Sequence, residues 1–348
     1  DGFVLPIAIE RRTLGAWARR GDRAVRFVSR QATEAAEVRL DAPIRPAKPA
    51  WANYCRGVAA GLAARGVPLV GADVLFDSDV PLGGGLSSSA SLEVAAALAL
   101  LAAAGAADAV PPGELARLCQ KAEHDFAGAP CGIMDQFTSV LAQKDHALLL
   151  DCRSRTPQLV PMSDPGVTVL IINTNVRHKL AEGEYAKRRA ECETAARILQ
   201  VPALRDATLA DLDKARPRLD PVVFRRARHV ITENQRTLDF ARAIQASDWP
   251  EVGRLMYASH YSLRDDYQVS CAELDALVEI ARSLGPDHGV IGCRMTGGGF
   301  GGCAVCLIHT DAQKRLTRKF EELYEARTGN HAPIYSSRPG GGARVLKP

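Results

Sequence analysis

Residues 81–93 constrain the fold more than any other segment, because a glycine-rich loop there runs directly into a helix-forming sequence. Gly83, Gly84 and Gly85 permit a tight turn and a close approach of the backbone to a ligand. The run that follows, up to Ala104, is rich in alanine and leucine, which favour helix. Free N–H groups and the positive end of the helix dipole then point at one place, which predicts a phosphate site. The alternative is a serine-capped helix after a turn.

This loop differs from two widespread motifs. A Walker A loop needs a lysine before its final Ser or Thr, and no lysine lies between Gly83 and Glu93. A nucleophile elbow needs a glycine two residues after its serine, and the sequence Gly-Leu-Ser-Ser-Ser at 85–89 lacks it. The segment therefore indicates a phosphate site of another kind.

The composition predicts a globular protein. A length of 348 residues allows two domains, and 47% hydrophobic with 24% charged residues is typical of a packed fold. The net charge of +4, without a run of five basic residues, argues against nucleic acid as a partner. The longest uncharged helical stretch, between Glu93 and Asp108, is too short to cross a bilayer, so no membrane association is expected.

The cysteines indicate a reducing environment. Nine of them are scattered without the spacing of a disulfide framework, which predicts reduced thiols and a cytoplasmic location. Cys303 and Cys306 form a C-x-x-C pattern, but no second pair or nearby histidine supports zinc. Leu307 and Ile308 follow, so the segment is interpreted as a buried strand.

The order of predicted elements favours an α+β fold. Strand and helix patterns are mixed without a regular βαβ repeat. A helix is predicted for Trp51–Arg65, a strand for Val70–Phe76 before the glycine loop, and a helix from Pro112 to about Phe126. We place a domain boundary after residue 160.

Three segments together resemble the GHMP small-molecule kinases, in the form found in galactokinases. They are the loop at 81–93, the sequence Pro-Cys-Gly-Ile-Met-Asp-Gln-Phe at 130–137, and Met-Thr-Gly-Gly-Gly-Phe-Gly-Gly at 295–302. The opening residues 1–6, Asp-Gly-Phe-Val-Leu-Pro, also resemble the end of the galactokinase signature. The segments follow the family's order and spacing, so the resemblance covers essentially the whole chain.

The resemblance implies an architecture and an activity. The domain at 1–160 would be like ribosomal protein S5 domain 2, and the domain at 161–348 would be ferredoxin-like, with the active site in the cleft between them. The implied reaction is ATP-dependent phosphorylation of α-D-galactose at its anomeric hydroxyl. The implied partners are galactose and ATP, with Mg²⁺ as cofactor; a monomer without a protein partner is expected.

The resemblance also assigns roles to residues. Asp135 would be the catalytic base or would orient the sugar hydroxyl, and Ser89 and Glu123 would hold magnesium. Contacts to the sugar would come from Gly132, Asp135 and Tyr185. ATP would be bound by the loop and by two outlying residues: Gly83, Gly84, Gly85, Leu86, Ser87, Ser88, Ser89, Trp51 and Ser29. The third segment would brace the phosphates through Gly297, Gly298, Gly299 and Gly301.

Each assignment has a structural alternative. Glu123 alone could be a solvated helix residue, and Asp135 a helix cap or half of a buried ion pair. Tyr185 could be a half-buried helix tyrosine, while Trp51 and Ser29 could equally belong to the core or the surface. The pattern G-x-G-x-x-G at 297–302 is not a dinucleotide fingerprint, because a strand rather than a helix follows it.

One part of the family pattern is not found. The first motif, which would precede Asp1 and supply an arginine partner for Asp135 and several sugar ligands, is absent, so an N-terminal segment is expected to be missing. Two other functions remain open. One is another GHMP sugar kinase, acting on N-acetylgalactosamine or an arabinose. The other is a non-catalytic galactose sensor, although the intact serines at 87–89 and Asp135 favour an enzyme.

Overall fold

The computed structural model describes residues 1–81, 85–177 and 183–346. Its strands are β1 (Phe3–Val4), β2 (Thr13–Arg19), β3 (Ala24–Ser29), β4 (Ala36–Arg39), β5 (Ala72–Ser78), β6 (His146–Asp151), β7 (Thr156–Pro161), β8 (Val167–Arg177), β9 (Val290–Met295), β10 (Gly301–His309) and β11 (Ile334–Ser337). Its α-helices are α1 (Asn53–Ala64), α2 (Ser88–Ala104), α3 (Pro112–Ala122), α4 (Met134–Leu141), α5 (Glu184–Leu199), α6 (Leu209–Ala215), α7 (Pro221–Gln245), α8 (Trp249–Ser262), α9 (Ala272–Leu284) and α10 (Gln313–Thr328). Strands and helices are mixed, as expected for an α+β fold.

The chain forms two compact units. The phosphate-loop unit consists of Pro6–Leu148 and Pro339–Pro348, and the third-motif unit consists of Asp1–Leu5 and Leu149–Arg338. The chain passes from one unit to the other between Leu148 and Leu149, and each unit also contains residues from one chain end. The predicted boundary after residue 160 stays a prediction.

The phosphate-loop unit is built on a four-stranded sheet in the order β2-β5-β3-β4. Strands β3 and β5 are parallel, while the other neighbours are antiparallel. Phe27 and Phe76 stack with ring centroids 6.2 Å apart at the centre of the core. Helices α1, α2 and α3 pack together, and the alanines of α2 let its neighbours approach closely.

The third-motif unit contains an antiparallel sheet in the order β11-β8-β10-β9. Helices α8, α9 and α10 supply the apolar side chains that complete its core. Tyr324 of α10 is fully buried and donates its hydroxyl to the Thr174 carbonyl of β8 at 2.9 Å. Cys303 and Cys306 lie inside β10 and are buried, which confirms the strand interpretation of their C-x-x-C pattern. A short sheet, β1-β6-β7, adds Phe3 opposite Asp151.

Among the described residues, two helices end in π-helical turns. Glu123–Ala127 continues α3, and Leu263–Tyr267 continues α8. The helix predicted from Pro112 to Phe126 is therefore α-helical only to Ala122. Such turns shift side chains relative to a regular helix and are frequent at functional sites. In the described part of the chain, no helix combines the length and the apolar character needed to cross a membrane.

Candidate active site

The start of α2 is open on the side of the glycine loop. Gly83 and Gly84 lie outside the described residues. Gly85 has φ +73° and Ser87 has φ +59°, both in the left-handed region, and α2 begins at Ser88. Ser87 occupies the N-cap position, yet its side chain makes no capping hydrogen bond. Because no side chain caps it, the first turn of α2 keeps N–H groups available for an anion.

The Ser87 hydroxyl instead donates a hydrogen bond to the carboxylate of Asp135. Asp135 lies in the first turn of α4, where the helix dipole favours an anion. Burial raises the pKa of Asp135, the Ser87 hydrogen bond opposes that rise, and the negative charge of Glu123 adds to it. The predicted base therefore lies beside the predicted phosphate loop, with a proton affinity above that of an ordinary aspartate.

A pair of buried carboxylates lies near this aspartate. Glu93 of α2 is fully buried, and Glu123 at the start of the π-helical turn is only 6% exposed. The side-chain amide of Gln136, also fully buried, donates to Glu123 Oε2 at 2.7 Å and to Glu93 Oε2 at 3.2 Å. Burial, with the charges of Glu123 and Asp135, raises the pKa of Glu93 to about 9.

These groups would supply only part of a cation site, because the described residues contain no group of three or more His, Cys, Asp or Glu side chains that could hold a metal ion. Among the described residues, no lysine or arginine forms an ion pair with Glu93, Glu123 or Asp135. The Oε1 atoms of Glu93 and Gln136 are buried without a hydrogen-bond partner. Ser89 and Glu93 are four residues apart in α2, so their side chains share a face of the helix. Magnesium takes such oxygen ligands and fills its other positions with phosphates and water.

The segment that leads to Asp135 is tied to α3 and its π-helical turn. The Cys131 thiol donates to Glu123 Oε2 at 3.2 Å, and Gln120 Nε2 donates to the Cys131 carbonyl at 3.1 Å. Gly132, the next residue, is exposed, and a Cβ there would meet no atom within 4 Å. Since nothing in its own chain requires glycine at 132, the open space suits the predicted approach of a substrate.

Trp51 and Ser29 make local contacts in the phosphate-loop unit. The Trp51 ring packs against the core, and its indole N–H donates to the Glu34 carbonyl at 3.0 Å. Ser29 ends β3, and its hydroxyl donates to Gln31 Oε1 at 3.3 Å. Their contacts with ATP stay predictions.

The third glycine segment is held by backbone packing within its own unit. Gly297, Gly299, Gly301 and Gly302 all have positive φ. A Cβ on Gly299 would lie 2.0 Å from the Val269 carbonyl oxygen, which itself accepts the N–H of Phe300 at 2.7 Å.

The close approach that requires glycine at 299 is therefore to Val269, so the role expected for Gly299 at the phosphates is not needed to explain it. Gly298 differs, since a Cβ there meets nothing within 4 Å.

An arginine connects this segment to the helix that carries Tyr185. Tyr185 is 55% exposed in the first turn of α5, so both its contact with the sugar and the alternative of a half-buried helix tyrosine stay open. Buried Arg188, one turn later, donates to the carbonyls of Tyr267 and Gln268, each at 2.7 Å. Its guanidinium also lies 5.8 Å from the centre of the Phe300 ring. The tyrosine helix and the glycine segment are thus fixed to the same π-helical turn.

Comparisons with known proteins identify the family to which the chain belongs. A sequence profile for the N-terminal domain of GHMP kinases matches residues 53–143, and one for their C-terminal domain matches residues 240–326. Human galactokinase is 47% identical over 99% of this chain and 87% of its own length; the bovine enzyme is 46% identical over the same shares. The structure of Lactococcus lactis galactokinase with galactose superposes with a TM-score of 0.92 at 33% identity, covering 99% of this chain and 90% of that one. The chain belongs to the galactokinase family.

Membership of the galactokinase family confirms the expectation drawn from the three motifs, and with it the two-domain GHMP kinase fold. Ser87, Ser89, Glu123 and Asp135 lie within the N-terminal profile, and the glycine segment at 297–302 lies within the C-terminal one. Sequence reasoning missed Glu93 and Gln136. A glutamate inside an alanine- and leucine-rich helix, four residues after Ser89, was the available signal.

Proposed function

We propose that this protein transfers the γ-phosphoryl group of ATP to the anomeric hydroxyl of α-D-galactose, giving galactose 1-phosphate and ADP. The observation that carries the proposal is Asp135. Its carboxylate accepts the Ser87 hydroxyl at the uncapped start of α2, so a base and a phosphate-binding helix end lie side by side. Membership of the galactokinase family and the galactose-bound relative support the choice of sugar.

The reaction then follows from this arrangement. The α2 N-terminus positions the phosphates, and Asp135 aligns the anomeric hydroxyl with the γ-phosphorus. The sugar oxygen forms a bond to that phosphorus while the bond to the β–γ bridging oxygen breaks. ADP leaves with the bridging oxygen, and the hydroxyl proton passes to Asp135. The raised pKa of Asp135 brings its proton affinity closer to what proton transfer near neutral pH requires.

Magnesium fits the same part of the phosphate-loop unit. Ser89 and Glu123 are the residues that would hold it, and when bound it neutralises charge on the β- and γ-phosphates. The hydrogen bond from Gln136 and the thiol of Cys131 fix the Glu123 carboxylate in place. Tyr185, exposed at the start of α5, and Gly132, with its open Cβ side, are the proposed sugar contacts.

The proposed setting is the cytoplasm, with the protein acting as a monomer. The nine cysteines support a reducing environment, because their spacing is not that of a disulfide framework. The proposed partners are the two substrates alone.

A sugar-panel assay on the full-length protein tests the proposal. Galactose, N-acetylgalactosamine, arabinose and glucose are each offered with Mg²⁺ and ATP, and ³¹P NMR identifies the phosphorylated position. We expect galactose to have the highest kcat/KM, with the phosphate on the anomeric oxygen. A higher kcat/KM for another sugar would favour a different GHMP sugar kinase. Galactose and ATP binding without any turnover would favour a galactose sensor.

A further inference from the structure

We propose that Gln136 is a positioning residue that holds the Glu123 carboxylate in the orientation needed for magnesium. The inference rests on the proposed function, in which Glu123 is a magnesium ligand. It goes further because it assigns a role to a side chain outside the predicted ligand set.

The side-chain amide of Gln136 bridges the carboxyl groups of Glu93 and Glu123. Its amide nitrogen lies 2.7 Å from Glu123 Oε2 and 3.2 Å from Glu93 Oε2, and all three side chains are buried. A primary amide has two N–H groups, one for each carboxyl group. A hydroxyl group has only one donor and an apolar side chain has none, so neither could donate to both carboxyl groups without adding charge.

The three residues come from three separate elements. Glu93 lies in α2, Glu123 opens the π-helical turn after α3, and Gln136 lies in the first turn of α4. Gln136 is also the immediate neighbour of Asp135. The amide therefore links the helix that starts at the phosphate loop, the predicted metal ligand and the helix that carries the predicted base.

Two hydrogen-bond donors contact the same oxygen of Glu123, which leaves Oε1 outside the bridge. The hydrogen bonds from Gln136 and from the Cys131 thiol both end on Glu123 Oε2. With Oε2 fixed by two donors, the carboxylate plane is set and Oε1 remains available for a cation. Hydrogen bonds from such outer residues orient metal ligands, and their removal typically weakens metal affinity by about 10–100-fold.

Nucleotide binding with and without metal tests this role. The non-hydrolysable analogue AMPPNP is titrated by calorimetry into the full-length protein, once with Mn²⁺ and once with a chelator. The metal-free dissociation constant divided by the one measured with Mn²⁺ gives the factor by which the metal strengthens binding. We expect Gln136→Met, which keeps the volume and removes both donors, to reduce this ratio about 10-fold, with the metal-free dissociation constant unchanged.

Two further variants complete the design. Glu123→Ala should reduce the ratio at least as much, and adding Gln136→Met to it should have no further effect, because both act on one ligand. Gln143→Met is the matched control, since this exposed glutamine just after α4 donates to neither carboxylate. It should keep the wild-type ratio.

The outcomes separate the inference from the proposed function. If Glu123→Ala lowers the ratio and a folded Gln136→Met does not, the positioning role is wrong. If Glu123→Ala itself leaves the ratio unchanged, the metal assignment of the proposed function is wrong. Should Gln136→Met fail to fold, Gln136→Asn replaces it: the amide is retained but is one methylene too short to reach both carboxylates. A wild-type ratio in that variant would equally overturn the inference.

Discussion

At the scale of single residues, the chemistry depends on where the Ser87 hydroxyl points. An N-cap serine ordinarily accepts an N–H of the first helical turn. Here Ser87 has φ +59° and donates to Asp135 instead. One side chain thus leaves the α2 N-terminus without a cap and lowers the proton affinity of Asp135, the proposed base.

Replacement of Ser87 by alanine should change the pH dependence of catalysis. Burial raises the pKa of Asp135 and the Ser87 hydrogen bond opposes that rise, so Ser87→Ala should raise this pKa further. Asp135 must be ionised to accept a proton. The acid limb of the kcat/KM profile for galactose should therefore move to higher pH, with less effect at alkaline pH. A profile whose acid limb stays at the wild-type pH would show that the hydrogen bond does not act on the base.

Part of this site could be predicted from sequence. Ser89 and Asp135 were proposed as site residues because they lie in long, specific motifs, whereas Glu123 lies outside these motifs and was assigned only through the family resemblance. The roles of all three stay predictions. The direction of the Ser87 side chain was not found, because it depends on a left-handed backbone angle that a serine rarely adopts. The burial of Glu93 was not found either, because it needs the packing of α2 against other helices.

At the scale of elements, the third glycine segment depends on the π-helical turn at Leu263–Tyr267. Val269, just after that turn, accepts the Phe300 N–H and fills the space where a Cβ of residue 299 would lie. Arg188 adds two hydrogen bonds to carbonyls of the same region. The segment is thus positioned by neighbouring backbone, which makes its conformation sensitive to substitution.

Two neighbouring glycines should respond differently to alanine. Gly299→Ala places a Cβ 2.0 Å from a carbonyl oxygen at φ +84°, so it should lower the melting temperature and also the activity. Gly298→Ala meets nothing within 4 Å in the protein and should melt like wild type. If ligand approaches residue 298, that variant should still raise the KM for ATP or lower kcat. A Gly299→Ala protein as stable as wild type would contradict this account of the segment.

Several elements were not predicted from the sequence. Strand β2 is mostly exposed, so its residues lack the alternation that identifies a half-buried strand. Helix α8 did have a start signal, with Asp248 as its cap and a proline in its first turn. The two π-helical turns, which continue α3 and α8, were not predicted either.

At the scale of the whole molecule, stability should fall in acid through a buried histidine. His229 of α7 is 5% exposed, hydrogen-bonds through Nδ1 to the Ser262 hydroxyl at 2.9 Å, and packs on Tyr267. Burial lowers its pKa to about 4, against a raising effect of Glu233. The unfolded chain takes up a proton near pH 6.5 and the folded chain does so only near pH 4.

Urea unfolding between pH 7 and pH 4 measures this effect. Each pKa unit corresponds to about 1.4 kcal/mol, so His229 should account for about 3 kcal/mol of stability lost over this range. Glutamine at position 229 takes up no proton. The free energy of unfolding of His229→Gln should therefore fall by about 3 kcal/mol less than that of wild type between pH 7 and pH 4, even if it is lower at pH 7. The exposed His309→Gln serves as control and should follow wild type. Parallel curves for wild type and His229→Gln would contradict the assignment.

The sequence motifs also predicted much of the molecule as a whole, including the family and the α+β class. Long motifs in a fixed order carry that information. The sequence did not predict that the N-terminal residues belong to the third-motif unit and the C-terminal residues to the phosphate-loop unit. Asp1–Leu5 joins the third-motif unit through β1 and β6, and Gly340 pairs with Ala8 in the other unit. Such contacts join residues far apart in sequence, which no local pattern records.

The most direct test of the central claim is the turnover of Asp135→Asn in the full-length protein. Asparagine keeps the size of the side chain and still accepts the Ser87 hydrogen bond, but it takes up no proton. We predict that galactose phosphorylation falls about 10²–10⁴-fold while the dissociation constant for ATP stays within about threefold of wild type. Turnover near the wild-type rate in a folded Asp135→Asn protein would contradict the account, because the sugar hydroxyl would then be activated elsewhere.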